Sequence, residues 1–427
     1  MSIKSLGVRK VLVGAIAAFA FTVQASGAMS EDLTRVQTAR VAQSRGDLDT
    51  AIGLYGEAIR FDNLSQSNLA IAHMMRGNAW RQKREYDRAI EDYNQALQLN
   101  PNYYEAHNNR GNAWSDKRDY DRAIEDYNHA LRLNPDDHHA YNNRGVALSA
   151  KREYDRAIED YNDALRLNAN YDEAYNNRGI AWRAKGDYHR AIEDYNRALR
   201  LNPHLHQAYY NRGNAWLAKR EHDRAIEDYS QALRLNSNDH VYYANRGSAW
   251  SDKREYDRAI EDFTQALQLN PSFRWGYYSR GIAQFHAGRS ERAARDFDRA
   301  LEIDPSDHYS ALWEYLANVR ASGDAAATLA RRAGKLESSK WPSPVVLLFR
   351  ENIAPEAMVA LAGRPDDGKA RANRCEALFF IGHWHLMRGE RALAVRSFRE
   401  ALATRVTSNF TFNAARTELL VLGEQFD

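Results

Sequence analysis

"YNNRGVALSAKREYDRAIEDYNDALRLN", residues 141–168, is nearly repeated three more times in the chain. The copies are "HNNRGNAWSDKRDYDRAIEDYNHALRLN" from His107, "YNNRGIAWRAKGDYHRAIEDYNRALRLN" from Tyr175 and "YYNRGNAWLAKREHDRAIEDYSQALRLN" from Tyr209. Glycine sets the register: Gly77, Gly111, Gly145, Gly179, Gly213, Gly247 and Gly281 follow one another every 34 residues. With that glycine as position 8 of a unit, Ala recurs at positions 20 (Ala89 to Ala293) and 27 (Ala96 to Ala300), and an aromatic residue at 24 (Tyr93 to Phe297). Pro101, Pro135, Pro203, Pro271 and Pro305 share position 32. A fixed period of this kind marks units that each leave an apolar face for the next unit to cover.

Small residues at 8 and 20 let two helices approach closely, while the aromatic at 24 and the apolar residues at 21 and 28 are expected to fill the next interface. Asp at 18, as in Asp87 or Asp121, precedes "RAIED" and is expected to cap the second helix. "LNP" ends that helix, because Pro disfavours helical geometry in the residue before it. The pattern resembles the tetratricopeptide repeat. That resemblance implies an all-α, right-handed superhelical solenoid of antiparallel helix pairs with a concave surface.

Around the seven regular units, residues 70–307, the chain changes character. Residues 32–69 hold a degenerate first unit, in which "GDLDTAIGLYGEAI" aligns with "REYDRAIEDYNQAL". Lys4, Arg9 and Lys10 precede the apolar run "VLVGAIAAFAFTV" and the small residues "QASGA", so residues 1–28 are expected to be a signal peptide cut near Ala25 or Ala28. The alternative is an uncleaved anchor in the inner membrane. Cleavage predicts a periplasmic protein with no stable membrane anchor. Cys375 has no second cysteine to pair with, and it lies too far from the leader to accept lipid there.

Residues 308–374 are irregular but helical, interrupted by "WPSP" and "AGRPDD". The repeat then returns in residues 375–427, where Gly382, His385, Ala394, Phe398 and Ala401 occupy positions 8, 11, 20, 24 and 27 before a closing helix. Within this third, "SALWEYLA", "KWPSPVVLLF", "CEALFFIGHWHLMRGE" and "FTFNAARTELLVLG" resemble stretches of the NlpI outer-membrane lipoprotein family. The resemblance implies a homodimeric adaptor whose partners are a carboxyl-terminal-processing protease and cell-wall hydrolases. The lipobox cysteine of that family is missing here.

Catalysis finds little support. Glu91–Asp92, Glu125–Asp126 and four further Glu–Asp pairs recur along the array, whereas a general acid and base are needed once, in one cleft. His383 and His385 in "GHWH" point to different sides of a helix, so no metal is called for, and no cofactor motif is present. An enzyme would have to hide in residues 309–374. Net charge is +2, which excludes the strong basic field that nucleic acid requires. Trp80, Trp114, Trp182, Trp216 and Trp250, at position 11, are read as packing aromatics. Arg at position 7, from Arg76 to Arg280, needs a partner, and Asp at 23 is the first choice; the other reading is a basic stripe for an acidic ligand.

Packing leaves the opposite side of the first helix free, and there position 6 carries Asn109, Asn143, Asn177, Asn211 and Asn245. A carboxamide both donates and accepts, so such a row can satisfy the backbone of an extended peptide. An extended chain advances about 3.3 Å per residue, so helices about 8–10 Å apart meet every third peptide residue. The row resembles the asparagine ladder in the repeats of the O-linked N-acetylglucosamine transferase. Asn108, Asn142 and Asn176 at position 5, then Tyr210, Trp275, Tyr278 and Phe285, would supply side-chain preference in a groove that turns from polar to aromatic. The competing reading is that the carboxamides bond to one another within the array. The expected function is an exported scaffold for protein or extended-peptide partners; the alternative is a general interaction module in an export, assembly or signalling complex.

Overall fold

A computed structural model describes residues 31–60, 64–321, 325–333, 336, 341–363, 368–406 and 410–425. The signal-peptide expectation lies outside them. The described residues form 23 helices and no strand. They fall into two compact units, residues 1–151 and 152–427.

In each unit the 34-residue word folds as a helix pair. Tyr104–Asp116 lies against Tyr120–Leu133 in the first unit, and Asp172–Ala184 against Tyr188–Leu201 in the second. The glycine at 8 is where the two helices meet. A Cβ on Gly111 would stand 2.8 Å from the Tyr127 ring and 3.1 Å from the Ala123 carbonyl oxygen, and one on Gly179 would stand 2.7 Å from the Tyr195 ring. The aromatic at 24 is therefore seated beneath its own glycine and also reaches the next repeat, as expected: Phe263 meets Trp275 edge-on at 6.4 Å, and Phe297 stacks 6.3 Å from Trp313. Its ring needs the volume that only a missing side chain leaves.

Helix termini correct one expectation. The second helix is capped from position 16: Asp119 accepts from the Arg122 amide and Asp187 from the Arg190 amide, whereas Glu85, Glu153, Glu221 and Glu255 make no side-chain cap bond. A cap needs the short reach of Asp. Asp at 18 sits instead on the exposed first turn, where Asp87 pairs with Lys117, Asp155 with Lys185 and Asp223 with Lys253, each lysine at position 14 of the next unit. Proline is dispensable at the other end. The helices ending at Leu167 and Leu235 stop at Asn168 and Asn236 with the same extended geometry although Ala169 and Ser237 follow, because each Asn side chain accepts from the amide two residues on.

The recurring charges are spent between helices. Arg at 7 forks onto Asp at 23: Arg110 Nε and Nη2 donate to Asp126 at 2.8 and 2.6 Å, and Arg212 repeats this with Asp228. Its remaining nitrogen reaches position 25 of the preceding unit, Asn94 from Arg110 and Asn196 from Arg212. Each guanidinium thus joins both helices of its own unit to the unit before. The tryptophans at 11 are half-buried, packed inward on the core and covered outward by cations; Trp114 lies under Lys117 and Arg122 at 5.6 and 4.6 Å.

Beyond residue 308 the small-residue packing gives way to large aromatics. Trp313, Phe379, Phe380 and Phe398 are fully buried in one core with Phe285 and Phe297 of the last regular unit. Within that core, Tyr309 and Trp341 both donate to Glu376 (3.0 and 2.7 Å), and the Arg332–Glu314 pair is almost wholly enclosed. The helices Gly368–Met387 and Arg391–Ala403 meet as the regular pairs do, with Gly382 against Phe398.

Candidate functional site

The expected recognition surface is the side of each first helix that faces away from its second helix. The structure places the predicted carboxamides between successive first helices. Asn143 donates to Asn108 at 3.3 Å in the first unit; Asn211 donates to Asn176 at 3.0 Å, and Asn245 to the Tyr210 hydroxyl and to Asn214 (both 3.0 Å), in the second. Position 6 thus bonds position 5 of the preceding repeat. Asn142, Asn176 and Asn211 are less than a tenth exposed. Asn109 donates to the Met74 sulfur, and Asn177 accepts from Asn176.

Asn143, Asn211 and Asn245 thus bond across successive first helices, and Asn176 and Asn211 are buried, while Asn109, Asn143, Asn177 and Asn245 are half-buried. Phe285 is a further correction. It is fully buried, with the Arg320 guanidinium 3.9 Å over its ring, because the residues after 308 close upon it. Tyr210 stacks on Tyr242 and Tyr278 lies against Phe297, both half-buried, while Trp275 remains 37% exposed. His383 is buried beside Phe379 and Phe398, and His385 faces Glu390.

Electrostatics separate the early repeats from the later ones. In the first two regular repeats, position 4 is His73 or His107, which gives Asp92 and Asp126 a second donor at 2.9 and 3.4 Å, and from Tyr141 onward it is Tyr. Burial alone would raise these carboxyls, but the bonds from Arg and His outweigh it and hold both below the usual value of 3.8. In the second unit, position 4 is Tyr175, Tyr209, Tyr243 or Tyr277. There burial outweighs the lone arginine, and Asp194, Asp228, Asp262 and Asp296 are raised.

Two side chains absent from the sequence-based list also belong to this face. Arg81, at position 12, donates from Nε to Asp116 of the next repeat at 2.7 Å. Near it, Tyr93 and Tyr127 donate to Asn78 and Asn112, position 9 of their own repeats, at 2.7 and 2.8 Å. Arg183 occupies position 12 in the second unit, beside Tyr195 and Tyr229, but the residue matching Asp116 is Ala218 and the one matching Asn78 is Ile180. Arg183 Nε is buried without an acceptor, and the Tyr195 hydroxyl, beside the Arg183 guanidinium, has no acceptor for its proton. The signal was in the sequence at two variable positions: 9, which is Asn in Asn78, Asn112 and Asn214 but Ile in Ile180, and 13, which is Asp in Asp116 but Ala in Ala218.

The repeat profiles described as Tetratricopeptide repeat and TPR repeat match residues 104–137, 139–171, 172–205 and 206–239, residues 77–117, and residues 246–308, together more than half of the chain. The chain belongs to the tetratricopeptide-repeat proteins. It is an all-α solenoid of such repeats, and tetratricopeptide repeats imply a scaffold for protein–protein interaction. Solved tetratricopeptide-repeat structures are similar in part. A protein from Parabacteroides merdae is 19% identical with a TM-score of 0.49, covering 59% of this chain and 98% of its own. YrrB, described as having an unusual peptide-binding site, is 24% identical with a TM-score of 0.39, covering 44% and 96%. MamA is 28% identical with a TM-score of 0.35, covering 39% and 92%. No curated protein matches the chain.

Proposed function

We propose that this tetratricopeptide-repeat protein is an exported scaffold that holds segments of partner proteins on the first-helix face of residues 172–309. The supporting observation is Trp275. Packing consumes the recurrent small, aromatic and charged positions, yet this large aromatic, at position 2 of the helix Arg274–His286, stays 37% exposed beside Phe263 and Phe273. An exposed tryptophan supplies the kind of anchor on which interfaces concentrate their energy.

Export to the periplasm rests on the leader-like residues 1–28, and anchorage is lost when they are cut. The partners proposed are a carboxyl-terminal-processing protease and peptidoglycan hydrolases, with a homodimer of this chain as the bridging form. Support comes from the blocks "KWPSPVVLLF" and "CEALFFIGHWHLMRGE". A photo-crosslinker placed at Trp275 in the full chain tests this in a periplasmic extract. Crosslinks to such proteases and hydrolases are expected, together with a mature amino terminus just after Ala25 or Ala28. Crosslinks confined to assembly or export components would favour the general interaction module, and retention of the chain in the cytoplasm would overturn export.

A further inference from the structure

We propose that Arg183 and Tyr195 form a binding site for one carboxylate of a bound protein segment. The inference rests on the peptide-binding reading above and names the chemistry of one subsite within it. Its basis is the match between two places in the array. At Arg81 the guanidinium sits beside Tyr93 and Tyr127, and the Asp116 carboxylate completes the arrangement at 2.7 Å. At Arg183 the guanidinium sits beside Tyr195 and Tyr229, but Ala218 replaces that aspartate.

What is missing is therefore defined. A carboxylate is absent from the place where the repeat geometry would hold it, and exposed Ala218 leaves that place open to solvent. The groups around the gap are donors. Arginine can only donate, Nε is buried with no acceptor, and the Tyr195 hydroxyl has a proton to give because Ile180 has displaced the asparagine that takes it in other repeats. Tyr229 is already satisfied by Asn214 at 2.8 Å. Two donors without acceptors in a partly enclosed site are costly unless a ligand supplies the acceptor, and a planar carboxylate fits the guanidinium fork. The carboxylate comes either from an Asp or Glu side chain or from a chain terminus.

Two measurements on the full chain separate this site from the broader reading. The first follows the arginine Nε–Hε resonances while acetate is added. Arg183 is expected to shift and saturate while Arg81 stays still; Ala218→Asp is expected to move the Arg183 signal to the Arg81-like position and abolish its response. Equal responses at both arginines, or none at Arg183, overturn the site. The second uses an array of random dodecapeptides, each made with a free or an amidated terminus and with Asp or Asn inside. Bound peptides are expected to need one carboxylate and to weaken at least tenfold on Ala218→Asp, whereas Trp275→Ala weakens them with or without it. Loss on amidation assigns the terminus; loss on Asp-to-Asn exchange assigns the side chain. Binding indifferent to both exchanges and to Ala218→Asp overturns the site and leaves the scaffold standing. An array without binders overturns the peptide-binding reading, while the acetate titration still judges the site.

Discussion

The surroundings of Arg81 and of Arg183 are built from one 34-residue word, yet the first is closed by its own residues and the second is open. Around Arg81 every polar neighbour has a partner: Asp116 takes the guanidinium, and Asn78 and Asn112 take the two tyrosine hydroxyls. Around Arg183, two differences from the Arg81 site, Ile180 for Asn78 and Ala218 for Asp116, leave a buried Nε and a buried hydroxyl without acceptors. In a repeat array the common letters are consumed by stacking. Recognition is then sought at the positions that vary between repeats, where a polar group is left unmatched.

The largest effects should come from what the two regions share. Replacing Asp126 or Asp228 by Ala strips a half-buried arginine of a two-bond partner and is expected to cost about 3 kcal/mol in chemical denaturation, more at Asp126, where His107 loses its acceptor as well. Equal or negligible losses would break the distinction drawn at position 4. Next come Gly111→Ala and Gly179→Ala. Each Cβ meets a tyrosine ring held by both helices, so about 1–3 kcal/mol is expected at either position. A marked difference between them would show that the two scaffolds are not equivalent.

Smaller effects sharpen the contrast itself. Asp116→Ala should cost about 1–2 kcal/mol and leave Arg81 responsive to added acetate. Ile180→Asn should return an acceptor to Tyr195 and stabilise by about 0.5–1.5 kcal/mol, the gain of one hydrogen bond. The smallest effect is in titration. By carboxyl-carbon NMR, Asp126 should titrate below the usual 3.8 and Asp194 above it. The linkage follows from the signs. Stability contributed by Asp126 is present above its unfolded value and lost as pH falls through its lower folded value, whereas Asp194 favours the folded state at acid pH and loses that contribution as pH rises through its higher folded value. Acid below 3.8 should therefore loosen the early repeats before the later ones.

Much of this was legible in the residues. The glycine column announced a close approach, and Arg at 7 asked for Asp at 23, because small volume and unpaired charge have few structural solutions. The aromatic at 24 was rightly placed against the next repeat, but a one-dimensional pattern shows only that a ring must pack, not that the missing glycine side chain of its own pair makes its socket. Asp at 18 was taken for the cap because the turn before the helix is tighter than its letters suggest. Arg84 and Arg118 adopt the left-handed conformation at φ 66° and 65° where Gly186 stands in another copy, which brings position 16 to the helix start. The asparagines looked free because their partners lie 35 residues away and one position off, as in Asn211 to Asn176. Arg183 and Tyr195 were missed for a related reason: positions 9 and 13 vary from repeat to repeat, so a consensus does not show which copies leave Arg at 12 and Tyr at 24 without acceptors.

The most direct test exchanges the two sites. In a full chain carrying Asp116→Ala and Ala218→Asp together, the acetate-responsive arginine resonance should pass from Arg183 to Arg81, with helicity unchanged. If Arg183 kept its response with an aspartate beside it, or Arg81 stayed silent without one, the matched geometry would not govern binding and the account would be contradicted.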